Sequence, residues 1–515
     1  MQLPLRIDFH SGQSLQLQIF EQIRRLITDG RLKPSTRMPA SRVLADDLGV
    51  SRNTVVHAYE KLVGEGYLEM RKPVGAFVST KAVVGSPMPA VELTAEDSEA
   101  FAAHRRERLV FRGESHFVIS PYDRPVLYDF WVGRPDARVF PAKIWQQISR
   151  QLHETHVGNS AYGHPGGLWE LRQAIADHVG AARGIRTTAH EVIVTHGIQE
   201  GLNVIARMFI TGGTPVAVEN PCYLGAANVF RSHGAQLLPT AVDSRGVDVE
   251  RLPKEAAFIY VTPSHQYPTG SMLSPERRMQ LLEWALRTHA YVVEDDYDSD
   301  FFYDSAPLPA LKSLDKNDQV IYMGTFSKSL GAGLRVGYMI VPPHLASTAI
   351  AIKGLMTNCM PWFTQAVLAE FMASGAFQHH LRRTRMIYNA RRDFLIRTLS
   401  QRFGGSEIYG AQAGMHLAWE LPHSAPAAFD LERLARSYGV GVYSFGTGNA
   451  LLMGDDINAR YARSVMLGFA ALDEREIDEG VRRLVKAAGY AEGASRRPSM
   501  DELYETQLRD VEYVR

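Results

Sequence analysis

Residues 324–337 read GTFSKSLGAGLRVG: one amine, Lys328, stands between Ser327 and Ser329, and a glycine-rich stretch with Arg335 follows. Three chemistries use a lysine in such a setting. A triphosphate-binding loop needs glycine directly before the lysine, and Ser327 holds that place. A dinucleotide turn needs its third glycine one position earlier than GAGLRVG supplies it. A lysine on its own would read as a plain surface residue; the third chemistry is a nucleophilic amine that condenses with a carbonyl to a Schiff base.

That use sets requirements elsewhere in the chain. A pyridoxal site needs the amine, an acid that keeps the pyridine nitrogen protonated, and a cup for the phosphate. Residues 292–301, VVEDDYDSDF, offer Asp295 or Asp296 as the acid, with Tyr297 directly after. The alternating acids at 296, 298 and 300 imitate a calcium loop. Phe301 and Pro307, however, stand where such a loop needs glycine and a bidentate glutamate, so no metal site is expected. Residues 195–203, THGIQEGLN, put Gly197, Ile198 and Gln199 at a helix start, where free backbone N–H groups attract anions. Thr325 and Ser327 add hydroxyls, and Arg335 adds a permanent cation suited to bidentate contact. Tyr223, in ENPCYLG, offers a ring to stack on a pyridine. Together these residues point to pyridoxal 5'-phosphate carried on Lys328.

These stretches share a position: each follows a short apolar strand. Strands such as EVIVTHG, PVAVEN, AFIYVTPS, AYVVEDDY and VIYMGTFS alternate with helical segments such as IQEGLNVIARMFI and PERRMQLLEWALRTH. That alternation predicts an α/β domain with a mainly parallel sheet covered on both faces, whose ligands lie at the carboxyl ends of the strands. The first eighty residues have a different texture. Residues 14–29 place Ile19, Ile23, Leu26 and Ile27 on one helical stripe, with Ser14 as cap and Gly30 as stop. A short second helix ends at Gly49. A third begins after Ser51 and turns Val55, Tyr59 and Leu62 inward. YLEMRKPVGAFVS then alternates, turns and alternates again, as a hairpin does.

Three helices and a hairpin make a winged helix-turn-helix, which presents the start of its third helix to a major groove. The residues off the apolar stripe, Arg52, Asn53, Thr54 and His57, carry donors for phosphates and base edges. Arg42 at the start of helix two and Lys72 in the wing are phosphate anchors by the same reasoning. The first eighty residues hold eleven Lys and Arg against eight Asp and Glu, whereas the whole chain of 515 residues is neutral. Residues 81–120 lack sustained periodicity and read as a linker, 121–489 as the α/β domain, and 490–515 as a polar tail. Two cysteines, Cys222 and Cys359, have no paired spacing, which argues against disulfides and structural zinc. The N-terminus has no apolar core of a secretion signal, so a cytoplasmic protein is expected.

RLKPSTRMPASRVLADDLGVSRNTVVHAYEKLVGEGYLEMRKPVGAFV resembles the winged helices of the GntR family of bacterial regulators over residues 12–80. The resemblance implies that Arg42, Ser51, Arg52, Asn53 and Thr54 contact a double-stranded operator. From about 125 to 485, YGHPGGLWELR, THGIQEGL, ENPCYLG, VTPSHQYPTG, EDDYDSDF and GTFSKSLGAGLRVGY are similar to the landmarks of fold-type I aminotransferases. That likeness implies a large α/β domain with a smaller C-terminal α+β subdomain, and Lys328 as the residue of the internal aldimine. It also implies Tyr297 near the coenzyme's phenolate oxygen and Tyr162 reaching the phosphate of the partner subunit. Where many relatives have asparagine before PTG, this chain has HQYPTG, so His265 or Gln266 is expected to remake that contact. Asp295 is the preferred acid, with Asp296 left open.

A GntR reader fused to an aminotransferase-like domain is the layout of the MocR subfamily. It implies a regulator, with at most a residual aminotransferase half-reaction, that senses the coenzyme or an amine or amino acid condensed with it. A head-to-tail homodimer is the expected assembly, and a working aminotransferase that also binds DNA is the alternative. NARYARSVMLGFAAL offers Arg463, or Arg460, for an effector carboxylate, although Met466 competes for the place. Gly225 stands near the point where the GABA-sensing relative carries a second arginine, so GABA is not the expected effector.

Overall fold

The computed structural model describes residues 3–71, 73–81, 126–155, 162–304, 307–404 and 407–489. The chain divides into two units, Met1–Arg112 and Gly113–Arg515. Residues 82–120 of the expected linker, the tail from 490 and Lys72 lie outside the described residues.

In the first unit α1 spans Leu15–Thr28, α2 Ser41–Leu48 and α3 Arg52–Gly64. The four stripe residues Ile19, Ile23, Leu26 and Ile27 are buried, and they meet Val55, Tyr59 and Leu62 of α3 in one core. Gly49 ends α2 in the left-handed region at φ 65°, where a side chain would be strained. Ser14 precedes α1 as expected but makes no side-chain cap bond. Ser51 does cap α3: its hydroxyl accepts the Thr54 N–H at 3.1 Å. Strands β1 (Leu68–Arg71) and β2 (Gly75–Val78) pair antiparallel, and Leu68, Ala76 and Val78 close the underside of the core. The Tyr59 hydroxyl donates to the Pro39 carbonyl at 3.0 Å and ties α3 to the segment leading into α2.

The second unit is built on an eight-stranded sheet. Its strands in chain order are β3 (Val192–Thr195), β4 (Pro215–Asn220), β5 (Gln236–Asp243), β6 (Gly246–Val247), β7 (Phe258–Val261), β8 (Tyr291–Asp295), β9 (Val320–Thr325) and β10 (Gly337–Ile340). The spatial order is β3-β10-β9-β8-β7-β4-β5-β6, and all strands run parallel except β10 and β6. Val192–Thr195, Phe258–Val261 and Val320–Thr325 are buried at every position. Continuous apolar runs of this kind belong to strands covered on both faces. A second sheet has four strands, β11 (Ile408–Tyr409), β12 (His416–Glu420), β13 (Tyr443–Ser444) and β14 (Ser464–Gly468), in the order β11-β12-β14-β13. Helices 376–403 and 474–487 pack on it around Trp419, Leu417, Leu467 and Val481, which forms the smaller subdomain. Both cysteines are free.

Candidate functional site

The carboxyl ends of the parallel strands surround a cavity of about 420 Å³. Asp295 is the last residue of β8 and Thr325 the last of β9, while helix α4 (Ile198–Phe209) starts just beyond β3. Ile198, Gln199, Tyr223, Asp295, Tyr297, Thr325, Ser327, Lys328 and Arg335 all line the cavity. Residues scattered over 138 positions of sequence thus converge: most follow the carboxyl end of a parallel strand, and Arg335 precedes the antiparallel β10, which starts at the same edge because Gly337 pairs with Thr325.

Lys328 donates from Nζ to the Gly133 carbonyl at 3.1 Å. Gly133 has φ 69°, and a Cβ there would lie 2.4 Å from Nζ, so only glycine lets the backbone come this near to the amine. Gly133→Ala is therefore expected to displace Lys328 and weaken coenzyme retention, measured by the absorbance left after gel filtration. Burial lowers the amine's pKa from its usual value, and Asp298 and Asp295 partly restore it. A neutral amine is the form that attacks a carbonyl.

Asp295 is buried, and the Tyr260 hydroxyl donates to its Oδ2 at 2.6 Å. Its Oδ1 has no hydrogen-bond partner. Burial pushes the carboxyl up to about 7, against the opposing pull of Tyr260 and Lys328. A buried acid with one oxygen unclaimed in a cavity wall is the acceptor a protonated pyridine nitrogen requires. Asp296 points elsewhere: Arg183 holds its Oδ2 at 2.8 Å and Tyr322 donates to the same atom at 2.7 Å. Of the two candidate acids, only Asp295 faces the cavity.

The anion cup has the parts expected of it. Gly197, at φ 74°, turns the chain from β3 into α4, whose first-turn N–H groups lack partners within the helix. The Arg335 guanidinium packs over Gly197, with 3.2 Å left for a Cβ, and donates to the His196 carbonyl at 2.8 Å. Thr325 and Ser327 share a hydrogen bond at 2.9 Å beside it. Tyr223 is oriented by Gln199, whose Nε2 donates to the phenol oxygen at 3.2 Å. The Tyr297 hydroxyl donates to the His265 carbonyl at 3.0 Å, and burial holds its pKa well above the ordinary range. The donor set fits a pyridoxal phosphate.

Comparison with known proteins follows these two units. Residues 15–78 match the family described as "Bacterial regulatory proteins, gntR family", and residues 132–484 match "Aminotransferase class I and II". The "Probable rhizopine catabolism regulatory protein MocR" of Rhizobium meliloti is 34% identical over 492 residues, covering 94% of this chain and 95% of its own. This chain belongs to the MocR-type regulators of the GntR family. A second relative is the "HTH-type pyridoxine biosynthesis transcriptional regulator PdxR" of Corynebacterium glutamicum, 31% identical over 80% of this chain and 85% of its own. Among solved structures, the kynurenine aminotransferase of Pyrococcus horikoshii superposes with a TM-score of 0.67 at 26% identity, over 76% of this chain and 98% of that one.

In this MocR-type regulator several expected site residues lie outside the cavity. Gln266 is spent on the loop itself: its amide donates to Glu219, Pro221 and Tyr267, and its carbonyl oxygen accepts from Thr269. His265 sits one layer back, with Nδ1 2.9 Å from Asp298. The loop's contribution to the wall is Tyr267, directly before Pro-Thr-Gly, whose hydroxyl donates to the Gly448 carbonyl. The expectation that His265 or Gln266 remakes the asparagine contact is corrected accordingly. Tyr162 is 85% exposed and lines none of its own chain's cavity.

Arg463 does not reach the cavity either. It donates to the carbonyls of Pro422, Ala425 and Leu421, and Arg460 donates to Val242. Both stand before strand β14, Arg460 at the end of a short helix and Arg463 in the turn, where backbone carbonyls hold them; within the strand, side chains alternate between two faces. A Cβ at Gly468 would lie 2.2 Å from the Trp131 carbonyl, so Ser464, Met466 and Gly468 face the cavity side while Val465 and Leu467 enter the subdomain core. Met466 shares a buried apolar cluster with Val132, Tyr223, Tyr267 and Tyr297. Trp131, Val132, Gly133, Tyr260, Thr262, Ala332, His416 and Asn449 also line the wall, although no sequence signal marks them. Only Tyr267 carried a local signal, its place before PTG.

In the first unit Arg42, Arg52, Asn53 and His57 are exposed. Thr54 and Ser51 are engaged with each other through their hydroxyls at 2.8 Å, and His57 lies 3.2 Å from Glu60 on the same helix face. Ser51→Ala is expected to cost the unit about 1 kcal/mol. A lowered first transition in thermal unfolding would report it, and an unchanged one would make the cap dispensable.

Among the described residues no helix is long and apolar enough to cross a membrane.

Proposed function

We propose that this protein is a transcriptional regulator whose second unit carries pyridoxal 5'-phosphate and whose winged helix binds operator DNA according to whether an amine has condensed with that coenzyme. The observation that carries the reading is the pairing, in one cavity, of the Lys328 amine with an Asp295 carboxylate oxygen that no protein group claims. When bound, the coenzyme supplies an aldehyde that exchanges between amines.

The chain's own residues have the following roles in this reading. Lys328 is the covalent anchor, and Asp295 holds the proton on the pyridine nitrogen. Tyr297, its hydroxyl proton turned from the His265 carbonyl, hydrogen-bonds the phenolate oxygen, and Tyr223 stacks on the ring. The N–H groups of Ile198 and Gln199, the hydroxyls of Thr325 and Ser327, and Arg335 grip the phosphate, while Gly197 supplies the turn before them, its own N–H donated to the Thr195 carbonyl at 2.8 Å. The outward stance of Tyr162 is what a phosphate contact delivered to a partner subunit requires, and it supports a head-to-tail homodimer. The operator places the protein in the bacterial cytoplasm. Any aminotransferase turnover is residual, since the arginines expected to hold a substrate carboxylate are tied to backbone carbonyls.

Arg42, Arg52, Asn53 and His57 are read as the groups that meet the duplex, joined by Ser51 and Thr54 at the helix start and by Lys72 in the wing. Because a ligand shifts only an equilibrium whose states it binds differently, the amine must favour one arrangement of the readers. The test is fluorescence anisotropy on DNA from upstream of the protein's own gene and its neighbours, with and without a panel of amines. Arg52→Ala should lose about 1–3 kcal/mol of affinity for the bound fragment while the coenzyme absorbance stays unchanged. Undiminished binding would remove α3 as the reading element.

A further inference from the structure

Resting on the coenzyme-and-amine reading above, we infer that the effector of this regulator is a primary amine that bears no carboxylate. An anion on the amine's body needs a cationic partner in the wall, because an unpaired charge in a buried pocket is heavily penalised. Among the described residues, the lysine and arginine side chains lining the cavity are Lys328 and Arg335. Lys328 is the exchanging amine itself. Arg335 leans over Gly197 at the start of α4 and donates to His196, on the phosphate side.

On the strand behind this wall Met466 is fully buried in an apolar cluster with four residues of the wall, Val132, Tyr223, Tyr267 and Tyr297. Arg463, three residues earlier in the turn before the strand, is bound to three backbone carbonyls. The imidazole of His416 does not substitute for a guanidinium. Burial, with His265 and Lys328 nearby, holds its pKa well below the usual range, so it stays neutral. The Asp295 carboxylate in the same wall repels any second carboxylate. What the far wall does offer is Trp131, Val132, Tyr267 and Asn449, two rings, an apolar side chain and an amide. Those groups suit an uncharged body, apolar or hydroxylated. In the exchange, the effector's nitrogen takes over the carbon–nitrogen double bond from Lys328 and its two protons pass to Nζ, with no change of redox state.

The test is a titration of the full-length, coenzyme-loaded protein with matched pairs, phenethylamine against L-phenylalanine and isoamylamine against L-leucine, read from the coenzyme absorbance. The decarboxylated member of each pair should half-saturate at a concentration at least about tenfold lower. Equal or better response to the amino acids overturns the inference, and so does a loaded protein that answers to neither member. Met466→Arg should reverse the preference within each pair while the absorbance of the loaded protein is kept; an unreversed preference in a variant that still carries the coenzyme would also count against it. A wild-type protein without coenzyme absorbance is a different outcome, since it removes the sensor reading itself and the inference with it.

Discussion

Lys328→Ala is expected to yield a protein that emerges colourless from gel filtration and whose DNA binding no longer answers to any amine. The side chain is the only amine in the cavity wall among the described residues, so its loss removes the covalent bond and leaves the cup to hold the coenzyme by phosphate and ring contacts alone. The change should not unfold the protein. Burial lowers the lysine's pKa, which means the folded state disfavours the ammonium form. A lysine with a lowered pKa penalises the fold once pH drops below the unfolded-state value near 10.5, and alanine carries no such penalty. Thermal unfolding of the coenzyme-free variant at neutral pH should therefore match or exceed that of the coenzyme-free parent. Lys328→Arg, which keeps a cation but cannot form the Schiff base, should be equally colourless. A variant that retained the parent's visible band would assign the covalent role to another amine.

Much of this site is legible in the sequence, and the reason is geometric. In a parallel sheet the ligand rim is made of residues that directly follow strands, and short apolar runs ending in polar residues mark those places. Asp295 after YVVE and Thr325 after VIYMG stand at their strand ends in the structure as in the string. The helices of the first unit were equally readable, since Gly49 and Ser51 carry their own stop and start chemistry. What escaped was whatever depends on side-chain direction. Arg463 lies in the turn directly before β14 and Met466 inside that strand, and nothing local says which of the two turns toward the cavity; Gly468, packed on the Trp131 backbone, fixes the parity of the strand. Gln266 and Tyr267 are neighbours in a loop whose fold turns the amide inward to Glu219 and the phenol toward the cavity. His416 and Asn449 come from the smaller subdomain, so only tertiary packing brings them to the wall. Between Asp295 and Asp296 the sequence offers only a preference for the first; Arg183, 113 residues away, claims the second.

Asp295→Asn should separate coenzyme affinity from stability, moving them in opposite directions. In the loaded protein the carboxylate faces a protonated pyridine nitrogen, and breaking a buried pair of that kind typically costs about 3–5 kcal/mol. Coenzyme retention should fall accordingly, and the visible band should shift as the ring loses its proton. In the coenzyme-free protein the same carboxylate is a burden. Its pKa is raised to about 7 from the ordinary 3.8, so the group favours the fold below the unfolded value, and that contribution is lost as pH rises through 7. Above pH 7 the full penalty, about 4 kcal/mol by linkage, falls on the coenzyme-free state. Asparagine keeps an acceptor for the Tyr260 hydroxyl without the charge. The coenzyme-free variant should therefore melt higher than the coenzyme-free parent at pH 8, with the gap closing toward pH 5, while the loaded variant melts lower than the loaded parent. If both forms of the variant melted lower at pH 8, the carboxylate would be serving the fold rather than the coenzyme, and the orphaned Oδ1 would need another partner.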